Sequence, residues 1–191
     1  MRLFLKCLAA LIAGTALGLF VTWLTVVRGG GMGGDTVNGP WRTSLLTGST
    51  QSGAALRASV ALHGLLALNR SETIYYTAAT DSAGDALDGR CTYRVTGRDP
   101  PARWWSITAY GADDYLIATP SELYSVSKNS IVRRPDGSFI VTVLRNAGSV
   151  DQIAVGDGRF SLTLRLYNPA PSVAADPTHV ALPTIEKAGC T

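Results

Sequence analysis

An uncharged, apolar run from Cys7 to Val27 is the feature that most limits what this chain can fold into. A helix of about 20 apolar residues is long enough to cross the hydrocarbon core of a bilayer. Backbone groups in lipid cannot bond to water, so such a run has to be helical where it meets the membrane. The sequence therefore predicts a single transmembrane helix that contacts the lipid bilayer through residues 7–27, within an anchor that comprises residues 1–28.

A cleaved signal peptide is the alternative for this run, because Arg2 and Lys6 give it a short positive start. Retention is favoured because the run is longer than the ~7–15 residues of a signal core and no small-x-small cleavage site follows it. Arg2, Lys6 and the terminal amine outweigh Arg28 beyond the run, so the positive-inside rule predicts a cytoplasmic N-terminus. We expect an uncleaved signal-anchor, with the rest of the chain on the far side of the membrane.

Beyond the anchor the chain is electrically neutral. Of its 17 Lys and Arg, three lie at or beside the apolar run, so 14 remain against 14 Asp and Glu. A neutral domain lacks the basic surface that nucleic-acid binding requires, and we expect no nucleic-acid partner. The glycine-rich residues 29–34 begin a flexible tether that we extend over residues 29–38. The domain then comprises residues 39–191.

Two alternating segments predict strands of one β-rich domain. Successive strand side chains point to opposite faces, which gives each segment a core face and a mixed face of rings, hydroxyls and charge. The core faces carry Trp105, Ile107 and Ala109 in the first segment and Phe160, Leu162, Leu164 and Leu166 in the second. The mixed faces carry Trp104, Ser106, Thr108 and Tyr110 in the first and Ser161, Thr163, Arg165 and Tyr167 in the second.

The remaining segments favour a mainly β, sandwich or jelly-roll-like domain with one helix. Residues 53–68 are apolar on most sides and predict that this helix is buried. His63 within it is more typical of a core or rim residue than of a ligand. Residues 130–132 and 138–144, joined by Asp136 and Gly137, predict a hairpin.

Cys91 and Cys190 are the cysteines outside the apolar run, which contains Cys7. They are a candidate disulfide if the domain faces an oxidising compartment. The alternative is that they are two unrelated thiols, because their spacing alone does not show whether they pair. The C-x-x-C and Cys/His spacings of zinc sites are absent, and we expect no metal site.

No catalytic motif is apparent in the sequence. Its two histidines, His63 and His179, are far apart, and there is no Gly-x-Ser-x-Gly nucleophile elbow. Asp81, Asp85 and Asp88 lack the spacing of a calcium loop and are typical of turns. We expect no cofactor. The pattern favours binding over catalysis, and both stay open.

Several groups of residues occur in a characteristic order. They are Leu65-Ala67-Leu68 with Glu72-Ile74-Tyr75-Tyr76, then residues 103–110, then residues 164–169 followed by Leu182-Pro183. This order resembles the bacterial family of the domain of unknown function 1214, in its short form with one N-terminal membrane segment. The resemblance covers residues 39–191.

The resemblance implies a jelly-roll β-architecture and a place in the bacterial envelope, hence an inner-membrane anchor and a periplasmic domain. It implies no reaction and no catalytic residues. In longer members of the family this domain follows a companion, the domain of unknown function 1254, within one polypeptide.

Two functional hypotheses follow. The first is an interaction module for a partner protein, one that carries the companion domain. The second is a domain that binds or hydrolyses an envelope glycan or another small molecule. Interfaces favour aromatic residues and arginine. The candidate surface comprises Trp104, Tyr110, Arg165, Tyr167, Arg103 and Glu72. The alternative to both is that Trp104 and Tyr110 pack beneath the helix.

Overall fold

A computed structural model of the chain describes residues 1–28, 35–62 and 67–190. The helices are α1 (Arg2–Thr22), which continues into a π-helical turn (Trp23–Arg28), α2 (Ala54–Leu62) and α3 (Pro171–Ala175), followed by a 3-10 turn (Pro177–His179). The described strands are β1 (Asp35–Asn38), β2 (Trp41–Ser44), β3 (Thr73–Ala78), β4 (Cys91–Arg98), β5 (Ala102–Gly111), β6 (Ser125–Ser127), β7 (Ser138–Leu144), β8 (Gln152–Ala154), β9 (Phe160–Pro169) and β10 (Thr184–Cys190). The prediction of a mainly β domain is confirmed.

The strands form two open sheets. The larger has six strands in the order β1-β2-β3-β9-β5-β6, and the smaller has four in the order β10-β4-β7-β8. Neighbouring strands are antiparallel, except that β7 and β8 run parallel. β9 lies at the centre of the larger sheet, between β3 and β5.

One hydrophobic core lies between the two sheets and includes the predicted core faces of β5 and β9. Trp105, Ile107, Leu162, Leu164 and Leu166 have no exposed surface. The two sheets meet through aromatic pairs. The Trp105 and Phe139 rings stack 4.9 Å apart, and the Tyr93 and Phe160 rings pack edge-on at 5.8 Å. Burial of each such side chain contributes roughly 1.5–3 kcal/mol, so this core dominates the stability of the domain.

The N-terminal helix is exposed along its whole length, since no residue of α1 is buried. Arg2–Val27 forms a helix that is long and apolar enough to cross a membrane. A signal sequence has the same properties, so this helix is a membrane anchor or a signal sequence. The predicted tether at residues 29–34 lies outside the described residues, and residues 35–38, which we assigned to the tether, form β1.

The prediction of a buried helix over residues 53–68 is wrong for the part that is described. The described helix is α2 (Ala54–Leu62), and only Leu56 and Ser59 of its residues are buried. The helix packs against the turn Trp23–Arg28 rather than between the sheets. The apolar composition of α2 is explained by its contact with this turn at the end of the apolar segment. His63 lies outside the described residues.

The predicted hairpin is also wrong. Arg133 and Phe139 form only an isolated bridge, and residues 130–132 form no strand. Gly137, with φ of +79°, still turns the chain as expected of an Asp-Gly pair. β7 pairs instead with β4 and β8, because these neighbours bury Phe139 and Val141 in the shared core.

Cys91 and Cys190 form a disulfide that joins residues 99 positions apart. They lie opposite each other where β4 begins and β10 ends. Disulfides persist in oxidising compartments and are rare in the cytosol, so this bond indicates an extracytoplasmic domain.

Tyr76 makes the stability of the fold sensitive to alkaline pH. Its side chain is fully buried, and its hydroxyl donates a hydrogen bond to the Pro177 carbonyl at 2.8 Å. Burial, reinforced by the charge of Asp176, raises the pKa of Tyr76 above its ordinary value. The neutral hydroxyl therefore stabilises the fold fully below about pH 10, and this contribution is lost as the pH rises further.

We expect Tyr76→Phe to lower the free energy of unfolding by about 1 kcal/mol at neutral pH, through the lost hydrogen bond. The variant should also lose less stability than the wild type between neutral pH and about pH 11. Urea unfolding at both pH values measures this difference. Tyr115→Phe, at an exposed tyrosine, is the control, and an equal alkaline loss in all three proteins would contradict the expectation.

Candidate functional site

The mixed faces predicted for β5 and β9 form one continuous surface, the side of the six-stranded sheet that points away from the core. We call it the outer face. The strand register places Trp104 opposite Tyr167, and Ser106 opposite Arg165. The same register continues to β3, where Tyr75 lies opposite Arg165. The structure therefore brings together four of the six predicted site residues: Trp104, Tyr110, Arg165 and Tyr167.

Arg165 is the central charge of the outer face. Its Nη2 donates a hydrogen bond to the Tyr110 hydroxyl at 2.8 Å. Its guanidinium carbon lies 5.3 Å from the centre of the Tyr110 ring and 5.9 Å from that of the Tyr75 ring. Contacts of a cation with ring faces at this distance are attractive. Arg165 is thus held in place by one tyrosine from each neighbouring strand while part of its surface remains accessible.

Trp104 and Tyr167 form a second aromatic group on the same face. Their ring centres are 5.0 Å apart and the ring planes are inclined by 52°. Pairs of this kind contribute about 0.5–1.5 kcal/mol beyond the burial of their surface. Both side chains are half-buried. They therefore present ring surface to solvent at the end of the sheet where β5 begins.

Hydroxyl groups form the floor beneath these larger side chains. Ser106, Thr108 and Thr163 point outward but are almost fully buried. The Thr163 hydroxyl lies 3.4 Å from that of Thr77. α2 packs mainly against the turn Trp23–Arg28, and the side chains of Trp104 and Tyr110 are each partly exposed. In the described part of the chain, these two side chains are therefore not buried beneath the helix.

Arg103 and Glu72 lie away from the outer face. Arg103 is exposed at the start of β5, where its side chain alternates with that of Trp104. Lys128 Nζ donates to the carbonyls of Ala102 and Arg103, each at 3.2 Å. Glu72 is exposed just before β3. Both charged residues belong to the end of the sheet and do not contribute to the Arg165 cluster.

Tyr75 is the residue of this surface that we did not predict. Its alternation with the core residues Ile74 and Tyr76 is visible in the sequence and indicates an outward side chain. Its place beside Arg165 depends on the pairing of β3 with β9, which no local pattern predicts.

The chemistry of the outer face is suited to binding. The outward residues of β3, β5 and β9 include rings, hydroxyls and a guanidinium but no carboxylate. An acid-base pair for hydrolysis is therefore not present on these three strands. In the parts of the chain that are described, no group of three or more His, Cys, Asp or Glu residues is arranged to hold a metal ion.

Comparison with known proteins places the chain among uncharacterised proteins. The model of a family described as "Protein of unknown function (DUF1214)" matches residues 72–171, a range that contains β3, β5 and β9. No curated protein matches the sequence.

Two solved structures match the chain. The VPA0106 protein from Vibrio parahaemolyticus matches with a TM-score of 0.61 and 20% identity, over 73% of this chain and 36% of that one. An uncharacterised protein from Burkholderia cenocepacia matches with a TM-score of 0.45 and 19% identity, over 63% of this chain and 30% of that one. The chain thus spans about a third of the length of these proteins. The first likeness shows the fold alone.

Proposed function

The chain belongs to the DUF1214 family, and from this premise we propose that it is a membrane-anchored envelope protein that binds a partner protein through its outer face. The anchor stays uncleaved in the bacterial inner membrane with its N-terminus in the cytoplasm, and the domain lies in the periplasm. The partner that we favour carries the companion domain of unknown function 1254.

The observation that carries the partner proposal is the Arg165 cluster. A guanidinium fixed between Tyr75 and Tyr110, beside the ring pair of Trp104 and Tyr167, is the combination of residue types that is enriched in interface hot spots. Fixing these side chains in advance lowers the conformational entropy that binding would otherwise cost.

The length of the similar structure supports a companion domain as the partner. The matched part occupies only 36% of the VPA0106 protein, so most of that polypeptide lies outside it. A domain in the remaining part of that polypeptide is a candidate for what this domain contacts. This step is an analogy at the level of fold.

Retention of the anchor is supported by the packing of α2. This helix contacts the turn Trp23–Arg28 at the end of the apolar segment. Val26 of the turn and Leu56 and Ser59 of α2 are buried in this region. Cleavage after the apolar run would remove the surface against which α2 packs.

The test is crosslinking in cells, followed by mild purification of the tagged full chain. We expect a stoichiometric partner that carries the companion domain, and we expect Trp104→Ala and Arg165→Ala each to reduce its recovery at least tenfold, as loss of a hot-spot side chain does (about 1.4 kcal/mol or more).

Arg94→Ala is the matched control, because Arg94 is an exposed strand arginine of the other sheet. Recovery of the chain alone, or equal loss of the partner in all three variants, would contradict the proposal. A chain shortened at its N-terminus, seen by mass spectrometry, would contradict the anchor.

A second candidate is the binding of an envelope glycan. The Trp104–Tyr167 ring pair beside arginine favours it, because sugars stack on aromatic rings and donate to and accept from polar groups. Binding is favoured over hydrolysis because the outward residues of these strands include no carboxylate. In this case, soluble envelope oligosaccharides would raise the melting temperature of the wild type and not of Trp104→Ala.

A further inference from the structure

We infer that the domain rests on the bilayer surface, with anionic lipid headgroups as the partner of α2 and of one end of the six-stranded sheet. The inference rests on the proposed function in one respect, since it requires that the anchor is retained. It is tested separately from the protein partner, because its experiment measures membrane contact at α2 and at this end of the sheet, whereas the partner experiment measures recovery of a protein.

The position of α2 along the anchor places it at headgroup depth. The apolar segment ends in the turn Trp23–Arg28, and α2 packs against this turn. Trp23 is partly exposed there, and tryptophan is enriched at the boundary between lipid and water. A helix that contacts this level of the anchor lies beside the membrane surface.

The side of α2 that faces away from the buried Leu56 and Ser59 is apolar. The exposed residues recur at helical spacing along one face: Ala54, Arg57, Ala58, Ala61 and Leu62. Leu62 is 65% exposed. Apart from Arg57, this face carries no charge. An exposed apolar face next to a membrane anchor is the arrangement of a helix that lies in the interface plane.

Basic residues cluster at the same end of the six-stranded sheet, where β3 and β5 begin and β9 ends. We call this the anchor end, because Leu68, in the segment that returns from α2, donates from its backbone to the Tyr75 hydroxyl at 3.2 Å. The basic residues here are Arg70, Arg103 and Lys128, in addition to Arg57 on α2. Asp99 is nearby but is neutralised by Arg133 at 3.0 Å. The other acidic residues at this end are Glu72 and Asp176, and Asp176 contacts His179 at 2.7 Å.

The loops that follow β3 and β5, at the opposite end of this sheet, carry Asp81, Asp85, Asp88, Asp113 and Asp114. Lys187 pairs with Asp85, Arg90 pairs with Asp88, and Arg159 lies opposite Asp88. Five acidic residues therefore face three basic ones, and this end has a modest acidic excess. A domain with this distribution of charge is attracted to an anionic surface by its basic end and repelled by its acidic end. Charge complementarity and the position of the anchor thus select the same orientation.

Site-directed spin labelling of the full chain in nanodiscs tests the inference. In a Cys7→Ala background that retains the disulfide, labels are introduced through Ala58→Cys, Leu62→Cys and Leu116→Cys. Leu116 is an exposed residue of the loop that follows β5, at the opposite end of the sheet. Nanodiscs of phosphatidylcholine and phosphatidylglycerol supply the anionic headgroups.

Labels at positions 58 and 62 should collide more often with oxygen, which dissolves in lipid, than with a water-soluble nickel chelate, and the label at 116 should show the reverse. Equal chelate accessibility at all three positions would overturn the inference. Mass spectrometry of the reconstituted chain verifies that the anchor is intact. With an intact anchor, failure here leaves the partner-binding proposal standing, whereas a cleaved anchor refutes this inference and the anchor together.

The contribution of charge is tested with a label at Ser71→Cys, between Arg70 and Glu72. We expect Arg70→Glu combined with Arg103→Glu to raise its accessibility to the chelate several-fold, and nanodiscs of phosphatidylcholine alone to do the same. Arg94→Glu combined with Arg159→Glu changes the net charge equally at sites away from the anchor end, and should have no such effect. An equal rise in both double variants would overturn the assigned orientation.

Discussion

Replacing Trp105 with alanine is expected to lower the free energy of unfolding by about 3–5 kcal/mol, the usual cost of removing a large buried aromatic side chain. Trp105 is fully buried, stacks on Phe139 of the other sheet, and donates from Nε1 to Asp99 Oδ1 at 3.1 Å. The same replacement at Trp104 should cost about 1 kcal/mol, because that side chain is half-buried and contributes mainly its pairing with Tyr167. Comparing the two replacements therefore distinguishes a loss of stability from a loss of binding at the outer face.

Urea unfolding of the full chain in nanodiscs, followed by far-UV circular dichroism, measures both changes. Trp104→Ala should reduce partner recovery while it leaves the unfolding midpoint close to that of the wild type. If Trp104→Ala destabilised the chain as much as Trp105→Ala, the outer face would be part of the core, and its assignment as a binding surface would be wrong.

Loss of the disulfide is the second large effect that we expect. The bond closes a loop between residues 99 positions apart, and in the chain-entropy model a loop of ~100 residues corresponds to about 4.7 kcal/mol of stabilisation. Cys190→Ser frees the end of β10, which is exposed except for Ile185. The variant should therefore unfold at a clearly lower urea concentration than the wild type.

Comparison with reduced wild type separates the bond from the side chains. Cys91→Ser combined with Cys190→Ser should match the reduced wild type, and Cys7→Ser should match the oxidised wild type because Cys7 lies outside the bond. An unchanged midpoint after reduction would show that β10 is held by its strand pairing with β4 alone.

Local alternation predicted the faces of the central strands but not their neighbours. Trp105 and Ile107 in β5 and Leu162 and Leu164 in β9 are buried as the period of two requires. The position of Tyr75 beside Arg165 is different, because it depends on the pairing of two strands that are far apart in sequence. The register of such a pair is determined by the whole core, so the place of Tyr75 in the cluster could not be derived from local sequence.

α2 shows how composition can suggest the wrong surroundings. The apolar residues of 53–68 predict a buried helix only on the assumption that they pack against the core of the domain. The structure places α2 against the end of the apolar anchor instead. A helix next to such a segment can be apolar without being buried in the domain. Only Leu56 and Ser59 in it are buried.

The central position of β9 has a consequence for the order in which the six-stranded sheet can assemble. β9 (Phe160–Pro169) separates β3 from β5, so these two earlier strands have no common neighbour until the last part of the chain has been synthesised. Pairings over such long sequence separations form slowly. Arg165 lies on β9, so the outer face is complete only when β9 has paired with both β3 and β5.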